Sequence, residues 1–495
     1  MKRRAFVGST LATISIPGLS ESGVWQRVRQ DPGDIEAVTG DGRKVTLRGM
    51  AVRELAQGLE GRLLHARSEG YETARHILNP AIDKRPALIA QPGDVDAVRR
   101  AVQFAREYGL LLAVKCGGHS FSGQSTCDGG LMIDLQRIRS VRVDPTARRA
   151  VVAGGNLLGA VDAATTPHGL VTPLGTVSHT GVGGLTTGGG FGRLARRYGL
   201  SVDNLVGVEV VTADGRLLRA DANENADLFW GVRGGGGNFG IVTAFTFALH
   251  PMQRDVISGG LVYPYSKARD AWELYGEYTV RAPDDLFLGI VQTLPPGGGE
   301  GNVLLEVCYS GPERDASRAM APLAKLGRPV ADARKTMPYV TAQKADDNTD
   351  PRALSMYLKS GFTRNIDSRM AAEISRALEG RPDRLTMVFA AQCGGAIGRV
   401  AESATAFANR DAEQTILAAV GWSPKAPAAP HLAYAREYWK VVEPFTNGFY
   451  VNDLSGEERS AIEANYRGNF ARLSRLKTKY DPTNLFRLNA NILPG

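Results

Sequence analysis

The chain has 495 residues, 43% of them hydrophobic and 22% charged, with 58 glycines and a formal net charge of +8. That length exceeds one simple core and makes two globular domains the expectation. Lys and Arg are dispersed among Asp and Glu, so the excess charge reads as a solvated surface rather than a nucleic-acid footprint. Cys116, Cys127, Cys308 and Cys393 lack the paired spacing of a zinc site, and no disulfide framework is implied.

At the N-terminus Arg3 and Arg4, followed by Phe6, Val7 and a weakly apolar run to Leu19, match a twin-arginine export signal. Residues 1–30 are therefore expected to direct export to the periplasm or medium; a disordered start on a cytoplasmic protein is the alternative. The apolar run is too short to span a bilayer, and no membrane partner is expected. Residues 31–80 form a lead-in with helical patches.

From Arg85 the texture becomes strand, turn, helix, strand. Val95, Val98, Val102, Phe104 and Ala105 recur at near-helical spacing behind Asp94 and Asp96, which suit a helix N-terminus. Short strands follow in "LMIDL", "SVRVD", "RAVVAGG", "GVEVVTADGRLLRA" and "IVTAFTFALHP", the fourth with a hairpin at "ADG". Beyond Pro251 the glycine clusters stop. Strands are expected in "LFLGIVQTLP", "NVLLEVCYSG" and "RLTMVFAAQCGGA", and helices in "PYSKARDAWELYGEYTVRA" and "AESATAFANRD". A final helix is expected over residues 457–479, before a loop containing Pro482.

Glycine marks the chemistry. In "KCGGHSFSG" two glycines follow a strand and display His119, and successive N–H groups in such a turn can cradle phosphate oxygens. In "TVSHTGVGGLTTGGGFGRL" seven glycines are too costly for a regular helix or strand, at about 1 kcal/mol each against Ala. In "GVRGGGGNFGIVTAFTF" Gly235, Gly237 and Gly240 satisfy G-x-G-x-x-G, but a strand follows where a dinucleotide fingerprint must open a helix. Three glycine turns, each joined to strands, point to one large phosphate-bearing cofactor wrapped in backbone.

The order of "GGHS", "GVGGLTTGGGFGRLARRYGLSVDNL", "VVTADG", "FWGVRGGGGNFGIVT" and "DPTNLFRLNANI" resembles the berberine bridge enzyme-like FAD-linked oxidases of the vanillyl-alcohol oxidase and p-cresol methylhydroxylase group. The resemblance covers residues 85–251 and the C-terminal tail, and the middle region only loosely. It implies an α+β fold: a two-part PCMH-type FAD-binding domain over residues 81–251 and an antiparallel substrate-binding sheet with helices on one face over 252–440. Residues 441–495 would return to the FAD domain. It implies FAD bound covalently at its 8α carbon by His119, a pyrophosphate turn at Gly117, Gly118 and Ser120, and cofactor contacts from Thr180, Gly181, Gly184, Gly190 and Ile241. Tyr450 and Asn452 in "YVN", with Asn489 and Asn491, match tail positions that return to the cofactor.

Departures from the family pattern shape the rest. Many relatives carry a second flavin link through a cysteine where this chain has Val177, so the attachment is expected to be monocovalent. Asp453 stands where relatives place Tyr or Phe, and Cys393 where a Tyr is frequent, so the catalytic base does not transfer. Asp453 is the first candidate, since an enclosed carboxylate can be tuned toward neutrality, and Tyr450 the second. His179 is placed to approach the flavin or to serve structure. Thr180 stands at the position that influences oxygen access in the family; being small, it favours an oxidase making hydrogen peroxide from molecular oxygen. The expected substrate is a small organic alcohol, sugar or amine, with no metal. A dehydrogenase or cyclase using another acceptor, and a non-catalytic flavin or ligand carrier, are the alternatives.

Overall fold

The computed structural model describes residues 33–345, 347 and 352–495. The expected export signal lies outside them.

Three sheets organise the molecule. The first has four strands in the order Gly61–Leu64, Leu88–Pro92, Leu131–Asp134, Leu112–Lys115, the outermost pairing antiparallel and the other two parallel. The parallel strands are buried and read as continuous apolar runs, as parallel strands covered by helices do. Helix Val95–Glu107 covers them through Val98, Ala101, Val102 and Ala105. The Asp94 carboxylate caps it, accepting from the Ala97 N–H at 2.7 Å. The lead-in is not only helical: it supplies Gly61–Leu64 to this sheet and a hairpin of Ile35–Val38 with Lys44–Leu47.

The second sheet has five antiparallel strands in the order Leu217–Asp221, Leu205–Val211, Ile241–Ala248, Arg149–Ala153, Val141–Asp144. The first two form the "ADG" hairpin. Val211 and Ile241 lie in the core of the first sheet, which joins the two. The C-terminal segment packs on the second sheet through Ile462, Tyr466, Leu473, Leu476 and Ile492.

The third sheet is antiparallel and has eight strands. Its longest run Asp255–Pro264, Asn302–Tyr309, Leu286–Leu294, Arg384–Gln392, Gln414–Trp422 and Ser355–Thr363. Period-two alternation splits each strand between faces. One face carries Leu288, Ile290, Leu305 and Ile416 against helices Ala268–Thr279, Ser368–Ala377 and Ala429–Val442, around the fully buried Trp272. Burying such a side chain contributes about 2 kcal/mol or more. The opposite face carries Leu358, Leu417, Met387 and Phe389, and Phe121 from the His119 turn packs against it. The fold is thus α+β: a pair of sheets sharing a core, beside an antiparallel sheet with its helices on one face.

Three local expectations differ. Gly183, Gly184 and Gly188 do sit in a helix, Val182–Gly188, held by packing of Val182 and Thr186. "AESATAFANRD" forms only the short turn Glu402–Ala404; residues 405–410 are buried and irregular, with the Phe407 N–H donating to the Arg233 carbonyl. The terminal helix is broken into Arg459–Asn465 and Phe470–Tyr480, because Arg467 has φ +49°.

Candidate flavin site

The glycine turns meet around a cavity of about 430 Å³ between the first two sheets and the C-terminal segment. Gly117 and Gly181 make the first junction. A Cβ on either would overlap backbone of the other turn, so only glycine allows this approach. Gly118 has φ +71°, and the turn closes on itself through the Ser120 hydroxyl, which accepts from the Gln124 N–H at 2.9 Å.

This turn displays His119, whose imidazole is half-buried on the cavity wall. Its Nε2 lies 2.7 Å from His179 Nδ1, and the Thr180 hydroxyl lies 3.3 Å from its Nδ1. Burial, and then the neighbouring His179, hold the His119 imidazole down to about 4, so it is neutral near pH 7.

Thr180, Gly181, Gly184 and Ile241 line the cavity, as do Tyr450, Asn452, Asp453 and Asn489. Gly190 does not. Its N–H donates to the Tyr450 hydroxyl at 3.0 Å, and its Cβ position would fall on Ser201, so it holds Tyr450 instead of facing the cavity. Asn491 also lies off the wall, with a buried side-chain oxygen that has no partner. Asn452 donates to the Tyr450 hydroxyl at 2.8 Å and to the Leu185 carbonyl at 3.2 Å, fixing the tail to the second glycine turn. Burial pushes the Tyr450 phenol well above its ordinary range, and its ring stands edge-on to Phe191. Cys393 is fully buried behind them, in a cluster with Phe362 and Phe407; it fills space there and does not reach the cavity.

Asp453 sits in the short turn Val451–Asp453 and lines the cavity. Burial raises it to about 7; a hydrogen bond from Ser360 works against this rise, and the Glu457 carboxylate adds to it. The group therefore changes charge near neutral pH.

Two observations test whether FAD suits this wall. Ser125 Oγ and Asn489 Oδ1 are buried on it without a hydrogen-bond partner, as expected of atoms reserved for a polar ligand. Gly184 and Gly236 also line it, and a Cβ on either would meet nothing within 4 Å, so the backbone is bare toward open space. No Lys or Arg is among the lining residues, so a diphosphate there would be held by backbone N–H groups. The residues fit a flavin dinucleotide. The positional reading missed Ser125, Gln124, Gly236 and Gly237; the last two lie in the third glycine turn, whose cofactor role was visible although its individual contacts were not.

The fold and site define a flavin-binding oxidoreductase, and comparison with known proteins makes this specific. Residues 86–221 match the FAD binding domain family and residues 449–493 the berberine and berberine-like family. An FAD-linked oxidoreductase of Dictyostelium discoideum is 34% identical over 449 residues, 90% of this chain and 97% of that one. The crystal structure of 6-hydroxy-D-nicotine oxidase from Arthrobacter nicotinovorans superposes with a TM-score of 0.81 at 27% identity, covering 88% of this chain and 98% of that one. Xylooligosaccharide oxidase from Myceliophthora thermophila, in complex with xylobiose, gives 0.81 at 26% identity, covering 90% and 99%. The chain belongs to the berberine bridge enzyme-like FAD-linked oxidoreductases.

Proposed function

We propose that this enzyme is an oxidase that holds FAD through one covalent bond from His119 and oxidises a C–OH or C–NH group of a small organic molecule. When bound, the flavin supplies the hydride acceptor. The chain's own residues supply position and proton handling. Asp453 takes the proton from the substrate hydroxyl or amine, because it is ionisable near neutral pH and opens onto the wall that carries His119. That shared wall is the observation that carries the reading. Tyr450, held by Gly190 and Asn452, orients the tail so that Asp453 faces inward.

Thr180 is small enough to leave a path for dioxygen, and molecular oxygen is the acceptor in this reading. The relatives named for a hydroxynicotine and for xylooligosaccharides support a small organic substrate without choosing its class. Export through the twin-arginine route belongs to the same proposal.

The test begins with purified protein. Acid-precipitated enzyme should stay yellow, and substrate should bleach the flavin anaerobically. Admission of air should then restore the colour within seconds with release of peroxide. Reoxidation over many minutes would assign a dehydrogenase instead, and failure of any alcohol, sugar or amine to bleach the flavin would leave a carrier.

A further inference from the structure

His119 and His179 face each other nitrogen to nitrogen, Nε2 to Nδ1 at 2.7 Å, with ring centroids 4.7 Å apart and planes tilted by 42°. Two neutral imidazoles in this geometry must be one donor and one acceptor. If His179 were the donor, His119 would carry its own proton on Nδ1 and both its nitrogens would be engaged, leaving no lone pair for a bond to carbon. If His119 Nε2–H is the donor, its Nδ1 keeps a free lone pair, with the Thr180 hydroxyl 3.3 Å from it, a group that can rotate away.

We infer that His179 is the positioning residue for flavin attachment: it accepts the His119 Nε2 proton, fixes the tautomer with Nδ1 nucleophilic, and takes that proton as the bond to the flavin 8α carbon forms. The inference rests on covalent attachment through His119. The balance closes. An Nδ1–C bond forms and one C–H bond at the 8α carbon breaks. The imidazole also gives up its N–H proton, through His179. The two electrons and two protons end on a two-electron acceptor, dioxygen becoming hydrogen peroxide, as in the proposed turnover reaction.

Position 179 is suited to this. It precedes Gly181, whose backbone lies against Gly117, so the two histidine-bearing turns are locked together by a contact that no larger residue allows. His119 is neutral near pH 7, as a nucleophilic imidazole must be.

The experiment compares full-length enzyme with His179→Leu, which fills the volume without an acceptor, and His179→Asn, whose side-chain oxygen can stand where Nδ1 stands. The readouts are the fraction of flavin retained after acid precipitation, followed over time with added FAD, and non-covalent FAD affinity by flavin fluorescence. In His179→Leu, attachment should slow about a hundredfold while FAD still binds, and His179→Asn should recover much of the rate. Attachment by His179→Leu at the parental rate would overturn the inference, as would an Asn variant no faster than the Leu variant. Should His179→Leu fail to bind FAD, the time course of His179→Asn decides: a fall to a hundredth of the parental rate or lower counts against the assignment, and a rate near the parent supports it. If the parent itself releases all its flavin in acid, covalent attachment fails first and this inference with it; if the parent retains flavin and the variants match it, only the role of His179 falls.

Discussion

Asp453 and His119 carry opposite displacements from the same cause. Burial opposes charge, so it raises the carboxyl to about 7 and lowers the imidazole to about 4. Over the interval between them His119 is neutral and Asp453 is protonated; above about 7 Asp453 is ionised, the state in which the proposed reaction uses it as the base. The plot of kcat/KM against pH should therefore rise through pH about 7, and Asp453→Asn should remove this limb and lower kcat/KM about a hundredfold or more. A variant retaining both rate and limb would move the base elsewhere, Tyr450 first. His119→Ala should still take up FAD from the remaining glycine wall, lose all of it in acid, and show a lower flavin potential by dye equilibration, since the proposed 8α link would withdraw electron density. His119 was legible because "GGHS" places a histidine on a glycine turn. Asp453 was legible only as a departure from a pattern, because nothing in "VNDLSGEE" says whether that residue lines a cavity or caps the next segment; tertiary structure puts it on the cavity lining, hydrogen-bonded to Ser360 and near the Glu457 charge.

At the scale of elements, the site is made where glycine turns touch. The pair Gly117 and Gly181 is fixed by contact, whereas Gly184 and Gly236 are bare toward open space. These two kinds of glycine should respond differently. Gly184→Val adds atoms where the apo-fold has room, so thermal stability without FAD should stay near the parent while FAD uptake, measured by absorbance, falls sharply. Gly117→Ala presses a methyl into the Gly181 backbone, so it should lose stability as well as flavin. A Gly184→Val protein that binds FAD normally would show that the cofactor does not run over this helix. The sequence showed that the glycines mattered but not how they divide. Their density argued against a helix at residues 182–188, yet one turn of packing around Val182 and Thr186 outweighs the local propensity cost. The same override ran the other way in residues 401–411. There an alanine-rich run gives up helical structure because Trp230 donates to the Ser403 carbonyl at 2.8 Å and Arg410 pairs with Asp203 at 2.7 Å. Long-range partners of that sort leave no local signal.

At the scale of the whole molecule, the first two sheets and the third are bound by a buried polar chain. Arg193 donates to Glu306 at 2.9 Å, to Gln343 at 3.1 Å and to the Thr176 carbonyl at 2.9 Å. Gln343 in turn donates to the Gly175 carbonyl at 2.9 Å and reaches Asp162 at 3.5 Å. Asp162 is the weak link. Burial pushes its carboxyl up to about 7, only partly offset by Gln343 and the Arg193 charge. The sign follows from linkage: a carboxyl raised in the folded state binds its proton there while the unfolded chain, titrating near 4, has already released it. Its contribution is complete below pH about 4, shrinks as the unfolded state ionises, and is gone above about 7, a swing of about 4 kcal/mol for a shift of this size. Asp162→Asn removes the ionisation while keeping the shape. The variant should match the parent in urea unfolding at pH 4 and exceed it at pH 8, where the parent must hold a buried carboxylate. Equal stability of the two proteins at pH 8 would mean that Arg193 compensates the charge in full, and that the junction tolerates an ionised Asp162 without loss.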